Sequence, residues 1–190
     1  MARAGLTATL VVSEAGALAD EVGFDNLTIS ALAQRLGVKQ PTLYKHVAGT
    51  SGLHREMAVL AKIELADVMR RSAVGKSGDD ALIAISIAYR TWATDHPGRY
   101  AATVRAPGAG DDEDEAASRE ALEVVTSVLE GFGITGDDAI DVTRSLRAAL
   151  HGFVSLEAAG GFGLPTDVDR SFDRLIRSLA RAVTDWRITS

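Results

Sequence analysis

The chain has 190 residues, 46% of them hydrophobic and 24% charged, with no cysteine and a formal net charge of −6. That length allows one large or two small domains with a substantial core. The absence of cysteine excludes disulfides, thiolate metal sites and cysteine catalysis. No apolar run reaches the roughly 18 residues that a membrane-spanning helix needs. Abundant alanine and leucine, with only 5% aromatics, favour helix over sheet, so an all-α chain is expected.

The apolar start invites comparison with a signal peptide. Glu14, Asp20 and Glu21 interrupt it, however, and Val11, Ala15, Leu18 and Val22 recur at helical spacing. The reading is an amphipathic domain helix over residues 7–22, with a cytoplasmic location following from it. Gly23 ends this helix. Thr28 is a good N-cap for a second, in which Ile29, Leu32, Ala33 and Leu36 face inward and Gly37 stops the run. A third helix starts at Gln40 or Pro41, since proline is tolerated where its missing N–H has no intrahelical partner. Leu43 and Val47 lie four apart and anchor it. Ala48 and Gly49 end it, and Thr50 or Ser51 caps a fourth helix running to about residue 70.

Residues 71–78, RSAVGKSG, form the best boundary in the chain. Gly75, Lys76 and Ser77 look like part of a phosphate loop, but Arg70 stands where that loop needs glycine and no strand precedes it. Beyond it come helices over 79–95, with Leu82, Ile85, Ala88, Tyr89 and Trp92 as a stripe, over 99–105, and from the acidic run 111–115 to an end near Gly131-Phe132-Gly133. That acidic run is read as a solvated helix start suited to the macrodipole, or as a partner-binding patch. Two long helices, 137–159 and 167–186, flank a glycine-rich turn, GGFGLP. The total is about nine helices: a three-helix N-terminal domain over 1–50, a connecting helix to about 70, and a larger helical domain over 71–190.

Residues 26–53 carry the functional signal. Two short helices meet at a glycine turn, and the second sets Gln40, Thr42, Tyr44, Lys45 and His46 opposite its apolar anchors. From Arg35 to Arg55 the charged residues are Arg35, Lys39, Lys45 and Arg55, with no acid among them. A local basic face on an acidic body suits an anionic partner reached through one end of the molecule. The chain has no nucleophile elbow, no paired carboxylates at a strand end and no metal-ligand spacing, so neither an enzyme nor a cofactor is expected.

The segment LTISALAQRLGVKQPTLYKHV resembles the DNA-binding domain of the TetR family of bacterial repressors. Leu32-Ala33, Gly37-Val38, Thr42-Leu43-Tyr44, His46 and Leu53 carry the likeness, which is nearest to the tetracycline repressors. Leu150-His151-Gly152 is similar to a regulatory domain named for Trp-His-Gly, with Leu150 in place of the Trp. The resemblance implies Gln40, Pro41 and Thr42 at base edges, and Lys39, Tyr44, Lys45 and His46 at phosphates or the groove wall. It implies Thr28, Ser30 and Thr50 as further backbone contacts. Many family members carry Lys where this chain has Thr50, and tetracycline repressors carry a basic residue at Ser30. Each lost phosphate cation lowers the slope of log K against log salt by about 0.9 per half-site.

The resemblance further implies a ligand-responsive regulator, a repressor by family default, that binds a palindromic double-stranded operator as a homodimer and is released by a small-molecule effector. Leu146, Ala149, Leu150, Phe153, Phe172, Leu175, Ile176, Leu179 and Val183, with Leu156, supply apolar faces for a dimer bundle, or close the monomer core. Tyr89, Trp92, Tyr100, Val104, Leu122, Val125, Leu129, His151 and Phe153 are candidates for an effector-pocket wall. His151 is alternatively a hydrogen-bonded core histidine, and Tyr44 alternatively half-buried packing. The competing reading is a helical protein-interaction module, or a small-molecule-binding protein that has lost DNA binding.

Overall fold

A computed structural model describes residues 6–186; residues 1–5 and 187–190, which include the ends of the leader-like start and of the 71–190 span, lie outside it. The described residues form nine α-helices and one 3-10 turn, Phe24–Asn26. The helices are α1 (Ala8–Val22), α2 (Ile29–Leu36), α3 (Gln40–Leu43), α4 (Gly49–Ala73), α5 (Gly78–Asp95), α6 (Pro97–Thr103), α7 (Asp112–Glu130), α8 (Gly136–Ala158) and α9 (Val168–Asp185). Among them none is long and apolar enough to cross a membrane.

Local chemistry explains several of the boundaries. The Thr7 hydroxyl accepts from the Leu10 N–H at 3.2 Å and caps α1, and the Thr28 hydroxyl accepts from the Ala31 N–H at 3.1 Å and caps α2. Gly37 adopts the left-handed conformation, φ 65°, that closes α2, and the Val38 N–H then reaches back to the Ala33 carbonyl. Thr50 and Ser51 are not caps, because α4 already begins at Gly49 and they fall in its first turn. The chain breaks at His96 as the sequence suggests, yet Pro97 and Gly98 open α6 instead of preceding it.

The chain packs as two compact units, which do not follow chain order. Of the described residues, the first holds those up to 64 together with 95–118; the second holds 65–94 and 119–186. The motif-bearing helices therefore share their unit with α6 and the start of α7. The core of the first unit gathers Val11, Ala15, Leu18, Leu27, Leu32, Leu43, Val47, Leu53 and Met57, with Ala102 of α6. The contact of α6 with α1 is unusually close. A Cβ on Gly98 would sit 2.1 Å from the Ala19 carbonyl carbon and oxygen, so only glycine lets the two backbones meet.

The first unit also concentrates its ion pairs where α4, α6 and α7 supply charge. Lys62 and Asp114 are 5% and 4% exposed and meet at 2.5 Å. Arg55 binds Asp111 at 2.5 Å and Glu113 at 2.9 Å. Arg99 binds Asp20 at 3.0 Å and Glu64 at 3.1 Å. The acidic run is thus neither a purely solvated helix start nor a free patch: Asp111, Glu113 and Asp114 are held by cations of α4. In the second unit, Arg90 stacks on Phe153 and Phe172, at 5.5 and 4.7 Å from the ring centres, and binds Glu157 and Asp169.

Candidate nucleic-acid interface

The interface is built on three short pieces: the cap of α2, the whole of α3, and the turn into α4. Leu43 is fully buried and Val47 is 5% exposed, so they fix the register of the segment and leave the other side of the turn to solvent. The α-helical part is a single turn, with Lys39 as N-cap and Pro41 near the start, where no N–H is needed. Hydrogen bonds from the Tyr44, His46 and Val47 N–H groups to Gln40 and Leu43 carry the chain on to α4.

This arrangement exposes most of the expected contact residues. Thr28, Ser30, Lys39, Gln40, Pro41, Lys45 and Thr50 are exposed, Thr42 and His46 are half-buried, and Tyr44 is 56% exposed. The packing alternative for Tyr44 does not describe its ring. Among the described residues no group of three or more His, Cys, Asp or Glu side chains comes together to hold a metal ion.

The electrostatics correct the expected basic face. Arg35 is bound to Glu14 at 3.0 Å and to Glu21 at 2.8 Å, both on α1. The hydrogen bonds that it donates to these carboxylates, Glu21 first, raise its pKa and hold the guanidinium charged. Arg55 faces acids as well, and its pKa is raised chiefly by its bonds to Asp111. Of the four cations from Arg35 to Arg55, Lys39 and Lys45 alone make no ion pair among the described residues. Glu14 and Glu21 lie seven apart on one face of α1, a spacing that could have flagged a shared cation.

His54 is a positioning residue that the motif reading passed over. Its Nε2 lies 3.0 Å from the Leu27 carbonyl and its ring packs on Phe24 at 4.6 Å. It ties the first turns of α4 to the entry of α2.

Comparison with known proteins settles the class. Residues 11–57 match the family model described as bacterial regulatory proteins, tetR family. Residues 82–179, more than half of the chain, match the tetracyclin repressor-like C-terminal domain. The chain belongs to the TetR family. It is 38% identical over 178 residues to the HTH-type transcriptional regulator Rv0681 of Mycobacterium tuberculosis, covering 93% of this chain and 81% of that one. Its N-terminal part is similar to the class D tetracycline repressor of Escherichia coli, 47% identical over 49 residues, or 26% of this chain and 22% of the repressor. Among solved structures it is similar to a TetR variant from Acinetobacter baumannii AYE in complex with minocycline. That match has a TM-score of 0.72 at 25% identity and covers 98% of this chain and 99% of the other. A TetR-family member with this helix-turn-helix is a transcriptional regulator.

The remaining expected sites divide differently from the sequence reading. Of the nine pocket-wall candidates, Tyr100 and Val104 belong to α6 and its end, in the first unit, whereas the others lie in the second. Tyr89, Trp92 and Leu129 are buried, and Leu122, Val125, His151 and Phe153 are half-buried. His151 lies 3.4 Å from the Ser155 hydroxyl. Of the dimer candidates, Leu146, Leu150, Phe172, Ile176 and Val183 are buried by the chain's own second unit. They belong to the core of that unit. Ala149, Phe153, Leu175 and Leu179 stay half-buried, and Leu156 is exposed.

Proposed function

We propose that this TetR-family regulator binds a palindromic operator as a homodimer, represses the genes beside it, and leaves the operator when a small-molecule effector binds. One observation carries the reading. Gln40, Pro41 and Tyr44, with half-buried Thr42, stand on the solvent side of a turn whose opposite side is locked by Leu43 and Val47, and Lys39 and Lys45, which make no ion pair among the described residues, flank them. Gln40 offers a bidentate pair to adenine, while Pro41 and the Thr42 methyl suit a thymine methyl. Tyr44 and the two lysines suit phosphates. In this reading residues 1–50 contact DNA and 71–190 hold effector and partner.

A single such element reads few base pairs, so two copies about 34–36 Å apart are needed to address successive major grooves. The half-buried Ala149, Leu175 and Leu179, with exposed Leu156, supply a self-complementary face for a second copy. An effector then acts through its differential affinity for the operator-competent and incompetent states. The test is fluorescence anisotropy with DNA flanking the coding region. Thr42→Ala with Tyr44→Ala abolishes specific binding while the dimer elutes unchanged; retained specific binding contradicts the assignment. Engagement of Arg35 and Arg55 by acids favours the second reading, a helical module without DNA binding, and absence of any sequence-preferring binding by the parent protein would establish it.

A further inference from the structure

We infer that the second unit carries a binding site for a small organic monocarboxylate with a short apolar body. The site is a cavity of about 410 Å³ formed by the end of α4, the α4–α5 connection and the second half of α7. Its volume lies within the ordinary range for small-ligand pockets, roughly 300–1,000 Å³. None of the residues that the sequence offers as a pocket wall lines it, because α7 presents Val124 and Val128 here and not Leu122, Val125 or Leu129.

The lining has an apolar floor and a charged rim. Ala81, Val124 and Val128 make the floor, and all three are buried. Arg70, Lys76 and Glu123 make the rim, giving it one positive charge in excess within an acidic chain. Neither cation is spent on a strong pair. The Lys76 ammonium donates to the Ser72 carbonyl at 2.7 Å and meets no acid among the described residues, which leaves two of its three donors. Arg70 reaches Asp67 at 3.3 Å and Glu120 at 3.5 Å, and all three side chains are about half exposed. Such long, solvated pairs hold a guanidinium weakly and leave it able to turn toward a ligand. One excess charge matches a monoanion better than a phosphate dianion, and a carboxylate matches the planar fork of Arg70. The floor then takes a hydrocarbon chain or ring. This site stands independently of operator reading, since it is defined by ligand binding alone.

The test is calorimetric titration of the full-length protein with hexanoate and with hexanamide, its neutral counterpart. Hexanoate binds saturably at low-millimolar concentration and hexanamide does not. Arg70→Gln and Lys76→Gln each weaken hexanoate by about tenfold, the scale of one charge-assisted hydrogen bond, whereas Glu123→Gln tightens it. These side chains lie at the rim, and circular dichroism checks that each variant keeps its helices. Absence of saturable hexanoate binding, equal binding of the amide, or affinities unmoved by the three substitutions would overturn the proposal.

Discussion

Two regions of the first unit treat positive charge in opposite ways. Along α4, α6 and the start of α7, Arg55, Lys62 and Arg99 are each matched to carboxylates at 2.5–3.1 Å. Along the reading segment, Lys39 and Lys45 have no acidic partner among the described residues, and their polar neighbours face solvent. A count of cations between Arg35 and Arg55 suggests a basic face of four. The geometry reduces it to two, because a guanidinium held between Glu14 and Glu21 has little left for a phosphate. What a charge can do for binding depends on what it already holds.

The paired region can be broken most severely at its buried pair. Lys62→Met leaves the Asp114 carboxylate buried without a cation and should cost about 3–5 kcal/mol, whereas Lys62→Met with Asp114→Leu recovers most of that loss. Urea unfolding of the two variants measures the difference. Gly98→Ala follows, since the added methyl meets the Ala19 backbone and α6 must move; overpacking of this kind costs about 1–3 kcal/mol, read as a lower melting temperature.

The exposed region answers to charge instead. Lys39→Gln or Lys45→Gln should leave the melting temperature unchanged and reduce the salt slope of operator binding by about 1.8 per dimer. The smallest effect is a pH dependence. The Asp111 carboxyl is held down at about 2 from its ordinary 3.8, first by hydrogen bonds from Arg55 and then by the Asp114 N–H. A carboxylate lowered in the folded state adds stability above its unfolded value and loses it as pH falls through the folded one. That contribution is therefore complete above about pH 4 and fades toward pH 2. Arg55→Gln should return the Asp111 titration, followed by NMR, toward its ordinary value.

What could be read in the chain was local. Thr7, Thr28 and Gly37 mark helix ends through bonds made within a few residues, and the spacing of Leu43 and Val47 marks a buried side. The Gly98 contact with Ala19, the Lys62–Asp114 pair and the inclusion of α6 in the first unit depend on partners far along the chain, of which the residues next to them in sequence carry no sign. Thr50 and Ser51 read as caps from sequence, but Gly49 already enters α4 one residue ahead of Thr50. The acidic run looked free because its cations lie more than fifty residues earlier. The cavity beside Arg70 and Lys76 leaves no mark in the sequence, because small and apolar residues in a helix look the same whether they line a space or fill one.

The most direct test is the salt dependence of specific DNA binding by the full-length protein. Two available lysines per protomer predict a slope of log K against log salt of about −3.6 for a dimer. A slope of about −7, which would require Arg35 and Arg55 at phosphates as well, or binding without preference for sequence, would contradict the account.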